Sequence, residues 1–237
     1  MKASELKIDR NKHMMYSPEI EKVIREKLSE RYDAGDADQV WEKMQLQYAA
    51  FLEDLPYLGG KKSTHNGVGG TYDCMMLFAY YEVLEPKPSI DELYEMNVAV
   101  FLPAFQKMAG IVNANKPLLQ RLLHLGFVLT AKKDHKLQKQ SAGYIMEVEP
   151  YSKTEGVRYH FRRCPIAEFA KAHGYLDIMP AFCNTDYPAM DMINGALIRR
   201  HTCANSNICD YWIVGNQSDI ANKHPRKTDE KGYWYND

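Results

Sequence analysis

The chain has 237 residues, of which 45% are hydrophobic and 26% charged, and its formal net charge is −1. This composition is typical of a soluble globular protein. A chain of this length can form a stable core without disulfide bonds or bound metal ions. A nearly neutral chain lacks the basic field that binds nucleic acid, so we expect no nucleic-acid partner. Its apolar runs are too short to span a bilayer, and the charged N-terminus lacks the apolar segment of a secretory signal. We therefore expect a cytoplasmic protein without a membrane partner.

Helical patterns fill the first half of the chain. Ser17 and Pro18 predict the start of a helix over residues 17–32, where apolar side chains recur at helical spacing. Further helices are predicted over about residues 38–54, 75–83, 90–105 and 116–125. Residues 55–74 contain five glycines and are predicted to begin as a loop. The lysine-rich run over 132–139 is predicted to be a solvated surface.

From residue 143 the pattern alternates and becomes rich in aromatic and β-branched residues. It predicts two strands within residues 144–164 and a second strand pair over 196–201 and 210–215. Helices are predicted over 165–173 and 179–193, and the polar tail is expected to be irregular. We therefore predict an α+β fold, with a mainly helical part (1–142) packed on an antiparallel sheet (143–237) in one domain (1–237).

The five cysteines are an odd number without a signal peptide, which favours reduced thiols over a disulfide framework. There is no CxxC, and the spacing from Cys203 to Cys209 is not that of a zinc knuckle. Cys74 stands beside two methionines on a predicted helix, which indicates a core position.

Three other thiols can meet one carboxylate if the two strand pairs share a sheet. Cys164 ends the first pair, Cys183 and Asp186 share a helical face, and Cys209 opens the last strand. A thiolate beside an acid–base partner can attack an electrophilic carbon. Three thiolates and a histidine can instead hold zinc, and each cysteine alone can simply pack as a small hydrophobe.

Two further groups can bind or activate a ligand. His65 lies in the glycine-rich loop, where it is either an acid–base group close to a ligand or an exposed loop residue. The GVGG run in that loop lacks the spacing of a dinucleotide fingerprint, so we reject a nucleotide-phosphate role. In the arginine pairs 162–163 and 199–200, alternation along a strand turns one side chain to solvent, and the other can bind a substrate carboxylate.

Residues 158–215 resemble the C-terminal half of the L-2-amino-thiazoline-4-carboxylic acid hydrolase-like family, and residues 50–85 resemble it in part. The motifs are Cys164 after a strand, C-x-x-D-Y at 183–187, R-x-x-T at 199–202 and C-D-Y at 209–211, with the loop around His65. The resemblance implies hydrolytic opening of a small ring, such as a cyclic thiazoline amino acid, in a family of bacterial sequences. This chain departs from the pattern at residues 203–207, where CANSN replaces a turn that usually contains glycine.

The resemblance and the residue types together suggest a set of roles. We expect Cys183 or Cys209 as the nucleophile, Asp186 as general base or orienting group, and His65 as the acid–base partner. The expected substrate-binding residues, with an arginine as carboxylate clamp, are Arg163, Arg200, Cys164, Asn184 and Thr202. No cofactor and no metal ligand is expected among these roles.

A second interpretation is a sensor or binding protein that takes up a small molecule without transforming it. The order of helices, strand pair, helix and cysteine-bearing strand is also similar to the small-molecule-binding domains of the vinyl-reductase type. A dry apolar pocket without a convergent acid–base pair would favour this alternative. Under both interpretations the expected partner is a small molecule, and a homo-oligomer stays open.

Overall fold

A computed structural model describes residues 12–237 of the chain. Its first half is helical, as predicted, and contains α1 (Pro18–Arg31), α2 (Ala34–Asp54), α3 (Thr71–Val83), α4 (Ile90–Ala109) and α5 (Pro117–Leu137). Ser17 caps α1 by accepting a hydrogen bond from the backbone of Ile20, as its position before Pro18 predicts. The glycine-rich loop contains two short 3-10 helices, Gly60–Lys62 and Thr64–Asn66. Helix α5 extends well beyond its predicted end and includes most of the lysine-rich run.

The second half contains a four-stranded antiparallel sheet. Its strands are β1 (Ile145–Val148), β2 (Val157–Arg163), β3 (Gly195–Ile198) and β4 (Cys209–Gly215), in the order β1-β2-β4-β3. The two predicted strand pairs join into one sheet because β2 pairs with β4, which places Phe161 opposite Cys209. This confirms the predicted α+β class.

Three short helices connect the two halves of the sheet. These are α6 (Pro165–His173), α7 (Pro180–Cys183) and α8 (Asp186–Met192). The single helix predicted over 179–193 is therefore divided between Cys183 and Asp186. Helix α4 packs on both α7 and α8, and α5 packs on β1, so the helical part covers the sheet-containing part.

The C-terminal tail is ordered, and the prediction of an irregular tail is wrong. It forms α9 (Asp219–Lys223) and a hairpin of β5 (Lys227–Thr228) and β6 (Trp234–Tyr235). Asn236 fastens the hairpin, since its Oδ1 accepts hydrogen bonds from the Arg199 backbone N–H and the Tyr187 hydroxyl. Tyr233 is buried, so one aromatic side chain anchors a segment whose polar composition indicated a loop.

Two apolar clusters form the core, and the cysteines are divided between them. The first joins α1, α2, α3 and α6, and the second lies between the sheet, α5 and α8. Cys74, Cys164 and Cys183 belong to the first cluster, Cys209 belongs to the second, and Cys203 contacts both. In the described part of the chain, no helix has the length and apolar character needed to cross a membrane.

Candidate active site

A buried ion pair lies at the centre of the candidate site. The side chain of Arg199 is 1% exposed, and its Nη1 donates to Asp186 Oδ2 at 2.7 Å. Its Nη2 donates to the backbone oxygen of Cys183 at 2.6 Å, while the hydroxyl of Tyr211 donates to the same Asp186 Oδ2 at 2.7 Å. One carboxylate oxygen is thus held by two donors. The Asp186 side chain remains 25% exposed, so part of the carboxylate can still meet solvent or a ligand.

Aromatic rings enclose the guanidinium of Arg199. Its Cζ lies 4.9 Å from the ring centre of Tyr187 and 5.4 Å from that of Tyr211, both within cation–π range. Burial lowers the pKa of Arg199, but the neighbouring Tyr211, Cys209 and Asp186 raise it, and the net direction is upward. The arginine therefore stays charged, and it orients Asp186 from inside the protein.

The thiols of Cys183, Cys209 and Cys164 lie within electrostatic range of this ion pair. Burial raises the pKa of Cys183, while the charge of Arg199 acts in the opposite direction and Cys209 and Cys164 reinforce the rise. Burial likewise raises the pKa of Cys209 to about 12 against the effect of Arg199. As whole residues, Cys183 and Cys164 are half-buried and Cys209 is buried, while burial dominates the environment of all three thiols.

Cys164 has the most favourable position for a reactive thiol. It is the residue before α6, and its Sγ faces the backbone N–H groups of Ala167 and Ile166 without a regular capping hydrogen bond. Burial raises its pKa to about 11, and these N–H groups and the hydroxyl of Tyr144 moderate the rise. A helix N-terminus favours negative charge, so this environment stabilises a thiolate more than a purely apolar one does.

His65 reaches the same neighbourhood through aromatic contacts. Its Nε2 lies 2.8 Å from Oδ2 of Asp134, and its ring centre lies 4.2 Å from that of Tyr144. The Tyr144 hydroxyl in turn interacts with Thr71 and Cys164. Asp134 is 2% exposed, although it lies within the run predicted to be solvated. The structure thus links His65 to Cys164 through Tyr144, and a buried carboxylate fixes the imidazole.

Two surface cavities border the site. The smaller, of about 220 Å³, is lined by Cys164 and Cys203 with the charged side chains of Arg163, Glu168 and Lys171. Arg163 is held there by hydrogen bonds from its Nε to the backbone oxygen of Gly143 and from its Nη2 to that of Ser141. This cavity combines a half-buried thiol with a fixed guanidinium.

The larger cavity, of about 570 Å³, lies between the β3–β4 connection and the C-terminal hairpin. Arg199, Arg200, Thr202 and Tyr233 contribute to its lining. Arg200 is exposed, so it is Arg199 that faces the interior in this arginine pair. Among the described residues, no cysteine lines this cavity, and Asp186 lies outside its lining as well.

The remaining predicted substrate-binding residues stabilise loops in this structure. Asn184 donates from Nδ2 to the backbone oxygen of Gly232 at 2.9 Å, which attaches the C-terminal hairpin to the α7–α8 junction. The backbone N–H of Thr202 donates to Oδ1 of Asn205 at 2.8 Å and closes the turn after β3. Asn184 and Thr202 therefore make hydrogen bonds within the protein, while Arg200 and Thr202 line the larger cavity.

The thiols do not form a metal-ligand set. Within residues 12–237 there is no group of three or more His, Cys, Asp or Glu side chains that could hold a metal ion. The zinc alternative built on Cys164, Cys183 and Cys209 consequently has no support in the geometry.

Tight packing explains the glycines beside His65. A Cβ on Gly70 would lie 2.3 Å from the backbone oxygen of His65, and one on Gly69 would lie 2.9 Å from the Cα of Phe101 on α4. Gly69 also has a positive φ of 71°. These glycines allow the loop to approach the protein's own backbone, and in this way they fix the position of His65.

Comparison with known families agrees with the motifs. The model of the L-2-amino-thiazoline-4-carboxylic acid hydrolase family matches residues 72–213, which is more than half of the chain. The chain belongs to this family. The matched segment runs from α3 to β4 and includes the whole Asp186–Arg199–Tyr211 arrangement, whereas His65 and the C-terminal hairpin lie outside it. No curated protein and no solved structure matches the chain.

Proposed function

We propose that this member of the family is a hydrolase that opens the ring of a small cyclic carboxylate of the 2-amino-thiazoline-4-carboxylate type. The observation that carries the proposal is the carboxylate of Asp186, which Arg199 and Tyr211 hold through one oxygen. Its partial exposure leaves it able to accept a proton, and the thiols of Cys164, Cys183 and Cys209 lie within its electrostatic range. An oriented carboxylate beside a thiol is an arrangement typical of nucleophilic catalysis.

The chemistry requires attack on the ring carbon that lies between sulfur and nitrogen. When a nucleophile bonds to this carbon, its bond to the ring sulfur breaks and the sulfur leaves as a thiolate, which then takes a proton. The ring sulfur can leave directly as a thiolate, whereas the ring nitrogen must take a proton before it leaves, so the bond to sulfur breaks more readily. Net addition of one water gives a ureido acid that carries a free thiol.

We assign the attack to Cys164 in place of Cys183 or Cys209. Cys164 lines a cavity and faces N–H groups at the start of α6. With a pKa of about 11 its thiol is protonated at neutral pH, so it needs a base, and Asp186 is the base proposed. Attack by Sγ gives a covalent adduct on the substrate carbon. Water then hydrolyses the adduct and returns the thiol.

Arg163 is the proposed carboxylate clamp. Two backbone oxygens fix its guanidinium in the cavity of Cys164, and a guanidinium has further N–H donors that can form a fork with a carboxylate. Lys171 adds a second positive charge to the same cavity. The charged lining favours this enzymatic interpretation over a binding domain of the vinyl-reductase type, for which a dry apolar pocket is expected.

Incubation of the purified protein with 2-amino-thiazoline-4-carboxylate tests the proposal. We expect release of a thiol, followed with a thiol-reactive dye, and a product heavier than the substrate by the mass of one water. Binding measured by calorimetry without any conversion would support the sensor alternative instead. A screen of cyclic amidines and lactams with the same readouts extends the test to related rings.

A further inference from the structure

An apolar stripe lies on the exposed face of α5. Among residues 12–237, eight large apolar side chains are exposed, and five of them lie on α5 or in the connection that leads into it. They are between 51% and 72% exposed, and they are Ile111, Leu118, Leu122, Leu125 and Leu129. Single apolar side chains are common on protein surfaces, but a continuous stripe indicates an interaction surface.

We propose that this stripe is the contact surface of a homodimer in which α5 packs antiparallel against α5 of a second copy. The leucines follow one another at steps of four, three and four residues, which is the spacing of a coiled-coil seam. This order of steps is the same in both directions. A twofold axis between residues 123 and 124 therefore places Leu118 opposite Leu129 of the second copy, and Leu122 opposite its Leu125. Such self-complementarity is what a twofold interface requires.

Charge on the same face determines the orientation of the pair. The charged side chains exposed on α5 are basic, and its one acidic residue, Asp134, is buried. A parallel pair would place Lys132 and Lys136 beside their own copies. In the antiparallel pair the two copies of Lys132 stand about 25 Å apart along the helix axis, at 1.5 Å per residue, which exceeds the Debye length of about 8 Å.

Gly126 gives the second copy room. It lies between Leu125 and Leu129 on the exposed face, and a Cβ built there meets no atom within 4 Å. The same twofold axis places Arg121 of the second copy opposite this glycine. The long arginine side chain can then lie across the partner helix without a clash.

The size of the stripe fits a weak, concentration-dependent dimer. Full burial of an aliphatic side chain contributes about 1.5–3 kcal/mol of free energy. At about 25 cal/mol per Å² of apolar surface, this free energy corresponds to roughly 60–120 Å² for each side chain. Five side chains that are half to three-quarters exposed thus supply roughly 200–400 Å² of apolar surface per copy. When the polar rim is included, the two copies together bury roughly 700–1,300 Å² of accessible surface. This total is at the lower end of the range for specific interfaces.

Sedimentation velocity and light scattering across a concentration series test the dimer. We expect a mass twice 27.4 kDa at high concentration. Leu122→Glu and Leu125→Glu should each weaken association at least tenfold, because two copies of the new charge would be buried in the seam. Ile90→Glu is the matched control, since Ile90 is exposed at the start of α4, away from the stripe. It should leave the dimer intact.

Three outcomes would overturn the proposal. One is a wild-type protein that stays monomeric up to about 200 μM, where even weak interfaces associate. Another is a dimer that persists in both glutamate variants while circular dichroism shows them folded, since the contact would then lie elsewhere. The third is a monomer that floats with phosphatidylserine vesicles and loses this binding on Leu122→Glu, which would assign the stripe to a lipid surface.

Discussion

Nη1 of Arg199 lies 2.7 Å from Oδ2 of Asp186, and the arginine side chain is 1% exposed. The adjacent Arg200 is exposed, so the two arginines form a natural matched pair. Arg199→Met leaves Asp186 without its counter-charge and the Cys183 carbonyl without its donor. We expect a loss of about 2–4 kcal/mol in the free energy of unfolding, which allows for the partial exposure of Asp186. Urea denaturation measures this change. Arg200→Met should change it by less than about 0.5 kcal/mol, and equal effects at the two positions would contradict the structure.

Gly70 and Gly67 give a second matched pair, in the loop that holds His65. A Cβ at position 70 would lie 2.3 Å from the backbone oxygen of His65, whereas a Cβ at position 67 meets nothing within 4 Å. We expect Gly70→Ala to destabilise the protein by about 2 kcal/mol or more, because backbone must move. Gly67→Ala should be neutral or slightly stabilising, since it restricts the unfolded chain. Thermal unfolding followed by circular dichroism compares the two. Similar melting temperatures would show that the loop does not pack as described.

The carboxylate of Asp134 is expected to contribute to stability despite its place among lysines. It is 2% exposed and lies 2.8 Å from Nε2 of His65. Asp134→Ala removes the partner of His65 and should cost about 1–3 kcal/mol. The neighbouring Lys133 is exposed, and Lys133→Ala should have an effect close to zero. If chemical denaturation gives the same midpoint for both variants, the His65–Asp134 contact is not formed in solution.

The buried thiols predict a loss of stability at alkaline pH. Burial raises the pKa of Cys164 to about 11 and that of Cys209 to about 12, whereas an unfolded cysteine titrates near 8.5. Between these values the unfolded chain loses protons that the folded chain keeps. The buried, protonated thiols therefore make their full contribution to the free energy of unfolding below about pH 8.5. Above that pH the contribution declines by up to about 1.4 kcal/mol per pH unit for each thiol.

Urea midpoints at pH 8, 9 and 10 test this pH dependence. We expect a steady decrease in wild type and a shallower one in the double variant Cys164→Ser, Cys209→Ala. A midpoint that stays constant from pH 8 to pH 10 would mean that the thiols are not buried in the folded state.

Much of the fold follows from local patterns. The caps at Ser17 and Ser89, together with helical spacing, located the first-half helices, and alternation located the strand pairs. The pairing of β2 with β4 could only be assumed, because register between distant strands depends on tertiary packing. The C-terminal hairpin was missed because its strands are two residues long and depend on Asn236 and Tyr233 for their position.

The candidate site was predicted by residue type more than by position. Asp186 forms an ion pair with Arg199, and the thiols of Cys164, Cys183 and Cys209 are within electrostatic range of it. Alternation could not decide whether Arg199 or Arg200 turns inward. Tyr211 shares the strand face of Cys209, so period-two spacing could have identified it. Asp134 gave no such signal, because a carboxylate within a lysine-rich run indicates a position that faces solvent. Only the three-dimensional structure shows that His65, which is distant in sequence, is its partner.

The rate of thiol release from 2-amino-thiazoline-4-carboxylate by three folded variants tests the proposed site most directly. We expect Cys164→Ser and Asp186→Asn each to lower kcat/KM at least about 100-fold, because nucleophile and base act in the same step. Cys203→Ser, which changes another thiol of the same cavity, should stay within about threefold of wild type. Wild-type rates in Cys164→Ser and Asp186→Asn would contradict the assignment of these two residues to the active site.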